Sequence, residues 1–300
     1  MKALRLSLIL IVLLMGTLRA QDLAPRAYTH VPTGLNVLAM AFSWSQGSVI
    51  TNAGAPIQDL NITGYAPALV YFRTFNVFGK LGRMRALLPF AHLKGDAVFI
   101  GQDTSGTRTG LVDARLKLSL NLFGPPAATA KDFRPAQKET ILGVSLVVSM
   151  PVGQYDASKI INIGANRWGF KPELGLSHRF GRWSLEAYGG VWLFTDNSEF
   201  VEVSTLEQDP LYSFQWHISY TFKSRIWLAF NNAYFRGGET SVDGEFKNDF
   251  QKNWRAGATL SVPLGRRHSV KALFHTGVAT RIGSDFDIFT IAYQYAWFSG

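Results

Sequence analysis

The chain has 300 residues, 47% of them hydrophobic, a formal net charge of +9 and no cysteine. The absence of cysteine excludes disulfides, thiol catalysis and cysteine-bound metals. After residue 20 no apolar run reaches the length of a membrane-spanning helix, which excludes a helical membrane protein. The modest basic excess does not indicate nucleic-acid binding.

The N-terminus has the pattern of a secretory signal peptide. Lys2 and Arg5 precede an apolar run over residues 6–15, and Ala20 suits a cleavage site. We therefore predict a signal peptide at residues 1–20 and a single mature domain at residues 21–300.

Twelve segments of the mature chain alternate apolar and polar residues, which is the pattern of a strand with one oily face. In chain order they cover residues 37–44, 70–73, 84–93, 111–122, 142–150, 168–179, 183–193, 213–223, 226–234, 255–262, 270–278 and 289–297. The segment 111–122 is the clearest, since its even positions are all apolar and its odd positions include Asp113, Arg115 and Lys117. It is long enough for a tilted strand that crosses a bilayer, which needs about 9–11 residues. Taken alone, it also fits an amphipathic strand of a soluble sandwich.

The connections between these segments favour the membrane alternative. Short turns at 79–82, 180–183, 222–226 and 263–268 alternate with long loops at 46–61, 95–108, 151–167, 195–211 and 236–253. Most of the 21 acidic residues fall at the long-loop end. This sorting is typical of bacterial outer-membrane barrels. The sequence thus predicts an all-β fold: a single antiparallel transmembrane β-barrel of about 12 strands in the outer membrane, with short periplasmic turns and long extracellular loops.

The location implies further partners. Outer-membrane lipid and lipopolysaccharide would surround the barrel, and aromatic residues near strand ends would form its interfacial girdles. The last strand, which ends in Tyr295, Trp297 and Phe298, resembles the C-terminal signal that the barrel assembly machinery recognises.

Charged residues on the polar faces are the candidates for lining the lumen and setting selectivity. They are Arg73, Arg85, Asp113, Arg115, Lys117, Lys171, Glu173, Glu186, Arg255 and Lys271. A basic lining would favour anionic solutes. Equally, inward charges of a narrow barrel could pair with one another, and the sequence leaves both alternatives open.

We find no pattern that supports catalysis. His217 and Ser219 resemble the His-x-Ser pair of outer-membrane phospholipases, but the alternation places both in the lumen, away from lipid. The histidines lack metal-ligand spacing, and Asp285 and Asp287 are better explained as solvated loop acids than as ion ligands. We predict a non-enzymatic protein without cofactor or bound metal.

Motifs spread over the mature chain resemble one known family. They occupy residues 22–28, 151–156, 162–168, 194–197, 208–213, 237–244, 253–257 and 283–287. The chain resembles the family named for the MetA pathway of phenol degradation. That resemblance implies an outer-membrane barrel that imports aromatic or other hydrophobic compounds, and it implies no catalytic residues.

Most of these motifs lie in the long loops, so we expect the functional end at the outer mouth. The candidates for solute contact there are Asn166, Arg167, Trp168, Asp196, Asn197, Asp209 and Tyr212. The sequence predicts passive uptake of a small aromatic or hydrophobic solute. The alternatives are a small anion-preferring porin and, less favoured, a lipid-acting enzyme or a structural barrel.

Overall fold

A computed structural model describes residues 24–51, 57–159 and 161–299 of the chain. The predicted signal peptide, residues 1–20, lies outside the described residues.

The described residues form seventeen strands. They are β1 (Leu35–Ile50), β2 (Ile57–Val77), β3 (Lys80–Phe99), β4 (Gln102–Leu111), β5 (Ala114–Phe123), β6 (Lys138–Met150), β7 (Gly169–Phe180), β8 (Trp183–Phe194), β9 (Asn197–Phe200), β10 (Ser204–Gln208), β11 (Leu211–Thr221), β12 (Trp227–Gly237), β13 (Thr240–Val242), β14 (Glu245–Phe246), β15 (Gln251–Pro263), β16 (His268–Thr280) and β17 (Gly283–Phe298). No helix in these ranges has the length and apolarity needed to cross a membrane.

The main sheet closes into an antiparallel barrel. β1 pairs with β2 on one side and with β17 on the other, while β4 and β5 both pair with β3 and act as one interrupted strand. Counted in this way the barrel has 12 strands, which confirms the predicted fold class. Within the described residues, closure joins the two ends of the main sheet through β2 and β3, as a strand structure in lipid requires, whereas β4 pairs with β3 alone.

Every second residue of each strand points outward, and most of these outward residues are apolar. The outer surface of the barrel is therefore apolar. Met40, for example, is 68% exposed and pairs with Leu69 and Tyr293, which are also exposed. Exposed aromatic side chains lie near both ends of this belt, including Trp44, Trp254, Trp183 and Tyr293. The outward rows therefore match a hydrocarbon layer with an aromatic girdle at each interface.

Several of the predicted boundaries differ from the structure. β1 and β2 extend into the predicted loop 46–61, and the predicted loops 195–211 and 236–253 contain short strands. The predicted loop 95–108 is almost entirely strand. β3 runs to Phe99, β4 begins at Gln102, and only Ile100 and Gly101 form the turn between them. The predicted strand 111–122 is interrupted at Val112 and Asp113, for a reason given below. Strands that extend beyond the bilayer need no apolar face, so their apolar and polar residues do not alternate clearly. For this reason the sequence of the β3–β4 hairpin at the long-loop end resembled that of a loop.

A second sheet of four short strands lies within two of the long loops. Its order is β14-β13-β10-β9, and it joins the connection before β11 to the connection before β15. Phe200, Leu206 and Val242 are buried together in its small core. We call this end of the barrel the long-loop end and the opposite end the short-turn end.

Candidate functional site

Residues 24–34, here the N-terminal segment, lie inside the barrel near the short-turn end. The side chain of Tyr28 is fully buried, and its ring contacts the ring of Tyr188 at 5.3 Å between centroids. A methyl group at Gly143 or Gly175 would overlap the Tyr28 ring. The two glycines thus form a notch in the barrel wall that admits this one aromatic ring.

Polar contacts hold the N-terminal segment on both sides of Tyr28. The backbone N–H of Arg26 donates to Glu186 Oε2 (2.6 Å), and that of Ala27 donates to the Tyr188 hydroxyl (3.1 Å). Arg83 donates from Nη2 to the carbonyl of Thr29 (2.6 Å). Inward residues of several strands therefore fix this segment across the lumen.

Part of the predicted basic lining is neutralised within the barrel. Glu173 forms ion pairs with Lys117 (2.7 Å) and with Lys171 (2.8 Å). The Tyr28 hydroxyl also donates to Glu173 Oε1 (3.3 Å) and lies 3.0 Å from Ser145 Oγ. For these two lysines, the structure favours pairing with a lumen acid over direct contact with a solute.

A different arrangement surrounds Trp227. The Arg26 guanidinium lies 4.3 Å from the centre of the indole, and the Lys271 ammonium lies 5.3 Å from it. Arg26 also donates hydrogen bonds to Ser219 and Thr221. In the described part of the chain, Lys271 has this cation–π contact and no ion pair. This side of the lumen therefore carries two cations around one aromatic ring.

The remaining lumen candidates divide by the face that the register gives them. Arg85 lies opposite Lys117 in the register of β3 and β5, on the inward rows. Arg115 lies 5.9 Å from the centre of the Trp192 ring. Arg255 is buried and donates to the carbonyl of Phe286 (2.7 Å). Arg73 does not point inward: it is exposed on the row that continues Leu69 and Tyr71, so its predicted place in the lumen is corrected.

Asp113 has a structural task that its sequence position did not reveal. Its carboxylate accepts hydrogen bonds from the backbone N–H groups of Gly153 (3.0 Å) and Ala165 (2.9 Å). Both residues belong to the connection between β6 and β7, residues 151–168, here the β6–β7 loop. Because Asp113 turns toward this loop, the strand breaks between β4 and β5. Its partners are backbone groups, which corrects the prediction of a selectivity charge.

The β6–β7 loop carries an apolar side chain into the barrel. Ile163 is buried against inward residues of β1, β2, β3 and β17, among them Val49, Ile62, Leu93 and Phe286. On the opposite wall, Leu211, Ala233 and Phe235 are buried with Trp192 and Phe194 beside them. The interior at the long-loop end thus contains two apolar and aromatic clusters, and cations lie over the rings of the second, with Arg115 near Trp192 and Arg167 near Phe194.

Three of the outer-mouth candidates come together. Asn166 donates from Nδ2 to Asn197 Oδ1 (3.0 Å) and to Glu199 Oε2 (3.0 Å). Asn197 is fully buried and donates to the Tyr155 hydroxyl (2.9 Å). Arg167 is 4% exposed and donates to Gln208 Oε1 in β10. These residues tie the β6–β7 loop to the four-stranded sheet.

The environment of Arg167 is unusual for a loop arginine. Burial lowers its pKa to about 10, although the nearby carboxylates of Asp196, Asp113 and Asp249 act in the opposite direction. The guanidinium is still charged at neutral pH. Its Nε and Nη1 atoms have no hydrogen-bond partner among the described residues.

The other outer-mouth candidates are not part of this group. Trp168 and Tyr212 are exposed and lie on outward rows, where Trp168 stacks on Phe170 and Tyr212 pairs with Arg236. Asp196 and Asp209 are exposed in the loop above β11. For Trp168 and Tyr212, the predicted contact with a solute at the mouth is corrected to a position in the outer girdle.

His217 and Ser219 both face inward, and each is engaged by a different residue. His217 Nδ1 lies 2.9 Å from Asn231 Oδ1, and Ser219 Oγ accepts a hydrogen bond from Arg26. These contacts give the two side chains structural roles.

Sequence reasoning missed the N-terminal segment as part of the site. Its only signal was the motif at residues 22–28, which contains Arg26 and Tyr28. The segment shows no alternation, and its partners are far away in sequence, such as Glu186 and Ser219. Only the closed barrel brings these partners to it.

Comparisons with known proteins agree with this architecture. A family model described as "Putative MetA-pathway of phenol degradation" matches residues 45–298, which confirms the resemblance that the motifs indicated. No curated protein sequence matches the chain.

Two solved structures show the same type of barrel. The COG4313 outer membrane channel from Pseudomonas putida F1 is similar with a TM-score of 0.78 at 19% identity, over 91% of this chain and 99% of that one. The transport unit of the autotransporter AIDA-I from Escherichia coli has a TM-score of 0.54 at 10% identity, over 94% of this chain and 96% of that one. At these identities the likeness concerns the fold.

Proposed function

The chain belongs to the family of the MetA pathway of phenol degradation, and on that premise we propose that it is an outer-membrane channel for the passive uptake of small aromatic or hydrophobic compounds. The long-loop end would face the exterior and the short-turn end the periplasm. Membrane lipid and lipopolysaccharide would surround the barrel, and the barrel assembly machinery would insert it. The proposed transport involves no catalytic step and no cofactor.

One observation carries the proposal: apolar and aromatic side chains cluster on two opposite walls of the interior at the long-loop end, and cations lie over two of the rings. Ile163, Leu93 and Phe286 lie on one wall, and Phe235 and Trp192 on the other. A general pore for hydrated ions would have a polar lining there. Apolar walls instead favour entry of solutes that gain from leaving water.

A solute that moves from the long-loop end to the short-turn end must pass the N-terminal segment. Tyr28 and Arg26 are held by hydrogen bonds and ring contacts rather than by pairing in the barrel sheet. Such contacts can be exchanged without opening the barrel wall. We therefore place the controlling constriction at this segment, with release of Tyr28 from the Gly143–Gly175 notch as the step that admits a solute.

Transport into liposomes tests the proposal. The purified protein would be reconstituted, and uptake of phenol-like and benzoate-like solutes compared with uptake of sugars of similar mass. Faster uptake of the aromatic solutes than of the sugars is expected. Equal rates for both classes would contradict the proposal and indicate a general pore.

A small anion-preferring porin is the second candidate, and the arrangement at Trp227 favours it. Arg26 and Lys271 both lie over that ring, whereas Lys117 and Lys171 share Glu173. Reversal potentials in planar bilayers under a salt gradient decide between the two. A steady, anion-selective current would favour the porin, and little current combined with aromatic uptake would favour the specific channel.

A further inference from the structure

Three cations lie side by side on the outward face of the barrel at the long-loop end. Arg236 in β12 pairs with Lys252 in β15. Thr280 in β16 pairs with Asn253, so the next residue, Arg281, lies beside Lys252. The backbone N–H of Arg281 donates to Asn253 Oδ1 (3.0 Å). Neighbouring strands are about 4.8 Å apart, so the three residues span about 10 Å. We call Arg236, Lys252 and Arg281 the basic row.

The basic row is accessible and lacks acidic partners. All three side chains are exposed. Within residues 24–51, 57–159 and 161–299, no ion pair involves the basic row, and the Arg281 guanidinium donates to the backbone carbonyl of Phe250. Asp287, an acid on an outward row of β17, accepts a hydrogen bond from Thr276 (2.6 Å). The row thus differs from Lys117 and Lys171, which share Glu173.

The basic row lies at the upper edge of the outer aromatic girdle, where Arg236 pairs with Tyr212. Two residues closer to the middle of the barrel, Phe214 pairs with Tyr234, and Tyr234 pairs with Trp254. The rings of Tyr234 and Trp254 are 4.7 Å apart between centroids. Two residues of strand correspond to about 7 Å. Since aromatic girdles mark the boundary of the hydrocarbon, the basic row lies at the depth of the lipid headgroups.

The outer leaflet of a bacterial outer membrane presents the phosphorylated lipid A headgroup of lipopolysaccharide at this depth. Guanidinium groups bind phosphate oxygens through paired, charge-assisted hydrogen bonds, and an ammonium group adds a compact positive charge. Exposed apolar side chains below the row, among them Phe230 and Val278, offer a surface for acyl chains. Charge and apolar surface therefore occur in the vertical order that lipid A requires.

We infer that Arg236, Lys252 and Arg281 form a binding site for the phosphate groups of one lipid A headgroup on the outer wall of the barrel. The inference rests on the proposed outer-membrane orientation and is separate from the choice of transported solute. A bound lipopolysaccharide would brace β12, β15 and β16, and the loop between β12 and β15 carries β13 and β14 of the four-stranded sheet.

The test uses the full-length protein in detergent with hexa-acylated lipid A as the probe. The variant R236Q/K252Q/R281Q would be compared with K223Q/R266Q/R267Q, which removes the same charge from exposed residues at the short-turn end. Binding would be measured by native mass spectrometry and by the thermal unfolding shift. We expect the basic-row variant to bind lipid A at least about tenfold more weakly, as loss of charge-assisted hydrogen bonds implies, with the control close to the wild type. The variant R236K/R281K keeps the charge but loses the paired guanidinium hydrogen bonds, so its binding should lie between that of the wild type and that of the basic-row variant.

Two further probes identify the source of the phosphate. Dephosphorylated lipid A should bind the wild type as weakly as lipid A binds the basic-row variant, and inorganic phosphate should give no comparable thermal shift. Equal binding of lipid A to the wild type and the basic-row variant, or of dephosphorylated and intact lipid A to the wild type, would overturn the inference. An equal shift with inorganic phosphate would overturn it in favour of a simple anion site.

Transport assays on the same variants separate this inference from the proposed function. If the wild type binds lipid A through the basic row but transports no aromatic solute, the transport proposal fails and the lipid site stands. Heat-modifiable migration of each variant on unboiled gels confirms that the barrel has folded.

Discussion

The hydroxyl of Tyr28 donates a hydrogen bond to Glu173, the same carboxylate that forms ion pairs with Lys117 and Lys171. The N-terminal segment is thereby coupled to the charge balance of the lumen wall. Removal of either residue should affect both the constriction and the selectivity of the barrel, although for different physical reasons.

Replacing Tyr28 with alanine should widen the lumen. The ring fills the notch between Gly143 and Gly175, and truncation of a large buried aromatic side chain costs about 3–5 kcal/mol of local packing. We expect a clear rise in single-channel conductance in planar bilayers for Tyr28→Ala. Tyr28→Phe keeps the ring and loses only the hydroxyl, so its conductance should stay near that of the wild type. Equal conductance for the alanine variant and the wild type would argue against a constriction at this residue.

Replacing Glu173 with glutamine should destabilise the barrel and increase its preference for anions. Lys117 and Lys171 would lose the carboxylate that both contact, and breaking a buried ion pair by removing one partner costs about 3–5 kcal/mol. The unfolding midpoint in urea and the reversal potential under a salt gradient measure the two effects. The double variant Glu173→Gln with Lys117→Met removes one of the stranded charges and should recover part of the stability. No shift in reversal potential would mean that these charges do not reach the permeating ion.

Replacing Asp113 with alanine should release the β6–β7 loop. The carboxylate accepts two backbone hydrogen bonds from that loop, and each hydrogen bond to a charged group contributes about 1.5–3 kcal/mol. Trypsin should then cleave after Lys159 faster than in the wild type, as followed by mass spectrometry of the fragments. Asp103→Asn, which changes an exposed acid of β4, serves as the control and should leave the cleavage rate unchanged. Unchanged cleavage in Asp113→Ala would show that other contacts hold the loop.

Replacing Ile100 with asparagine should stabilise the β3–β4 hairpin. Ile100 has a φ of 49° and Gly101 a φ of 74°, the left-handed conformations of a two-residue hairpin turn. A β-branched residue is strained in this conformation, where asparagine is favoured, and the gain should be about 1 kcal/mol. Urea unfolding in detergent micelles measures it as a higher midpoint. Ile100→Val remains β-branched and should show no gain, so an equal midpoint for both variants would refute the explanation from strain.

The architecture could be predicted from the sequence because its cause is local. Side chains alternate across a strand, so the apolar residues of 111–122 or 213–223 indicate an oily face without knowledge of any partner. Twelve such segments and the sorted loops lead to a closed barrel, since a membrane leaves no unpaired strand edge. The upper β3–β4 hairpin escaped prediction because outside the bilayer its strands need no oily face.

What the charged residues do was decided by the tertiary structure. Asp113, Lys117 and Arg73 all occupy polar positions of alternating segments, yet one anchors a loop, one shares Glu173 and one lies on the outer wall. The register of strands far apart in sequence determines which charges meet, and no local pattern contains that register. The same reason explains the N-terminal segment: Arg26 and Tyr28 acquire their roles only when the barrel closes around them.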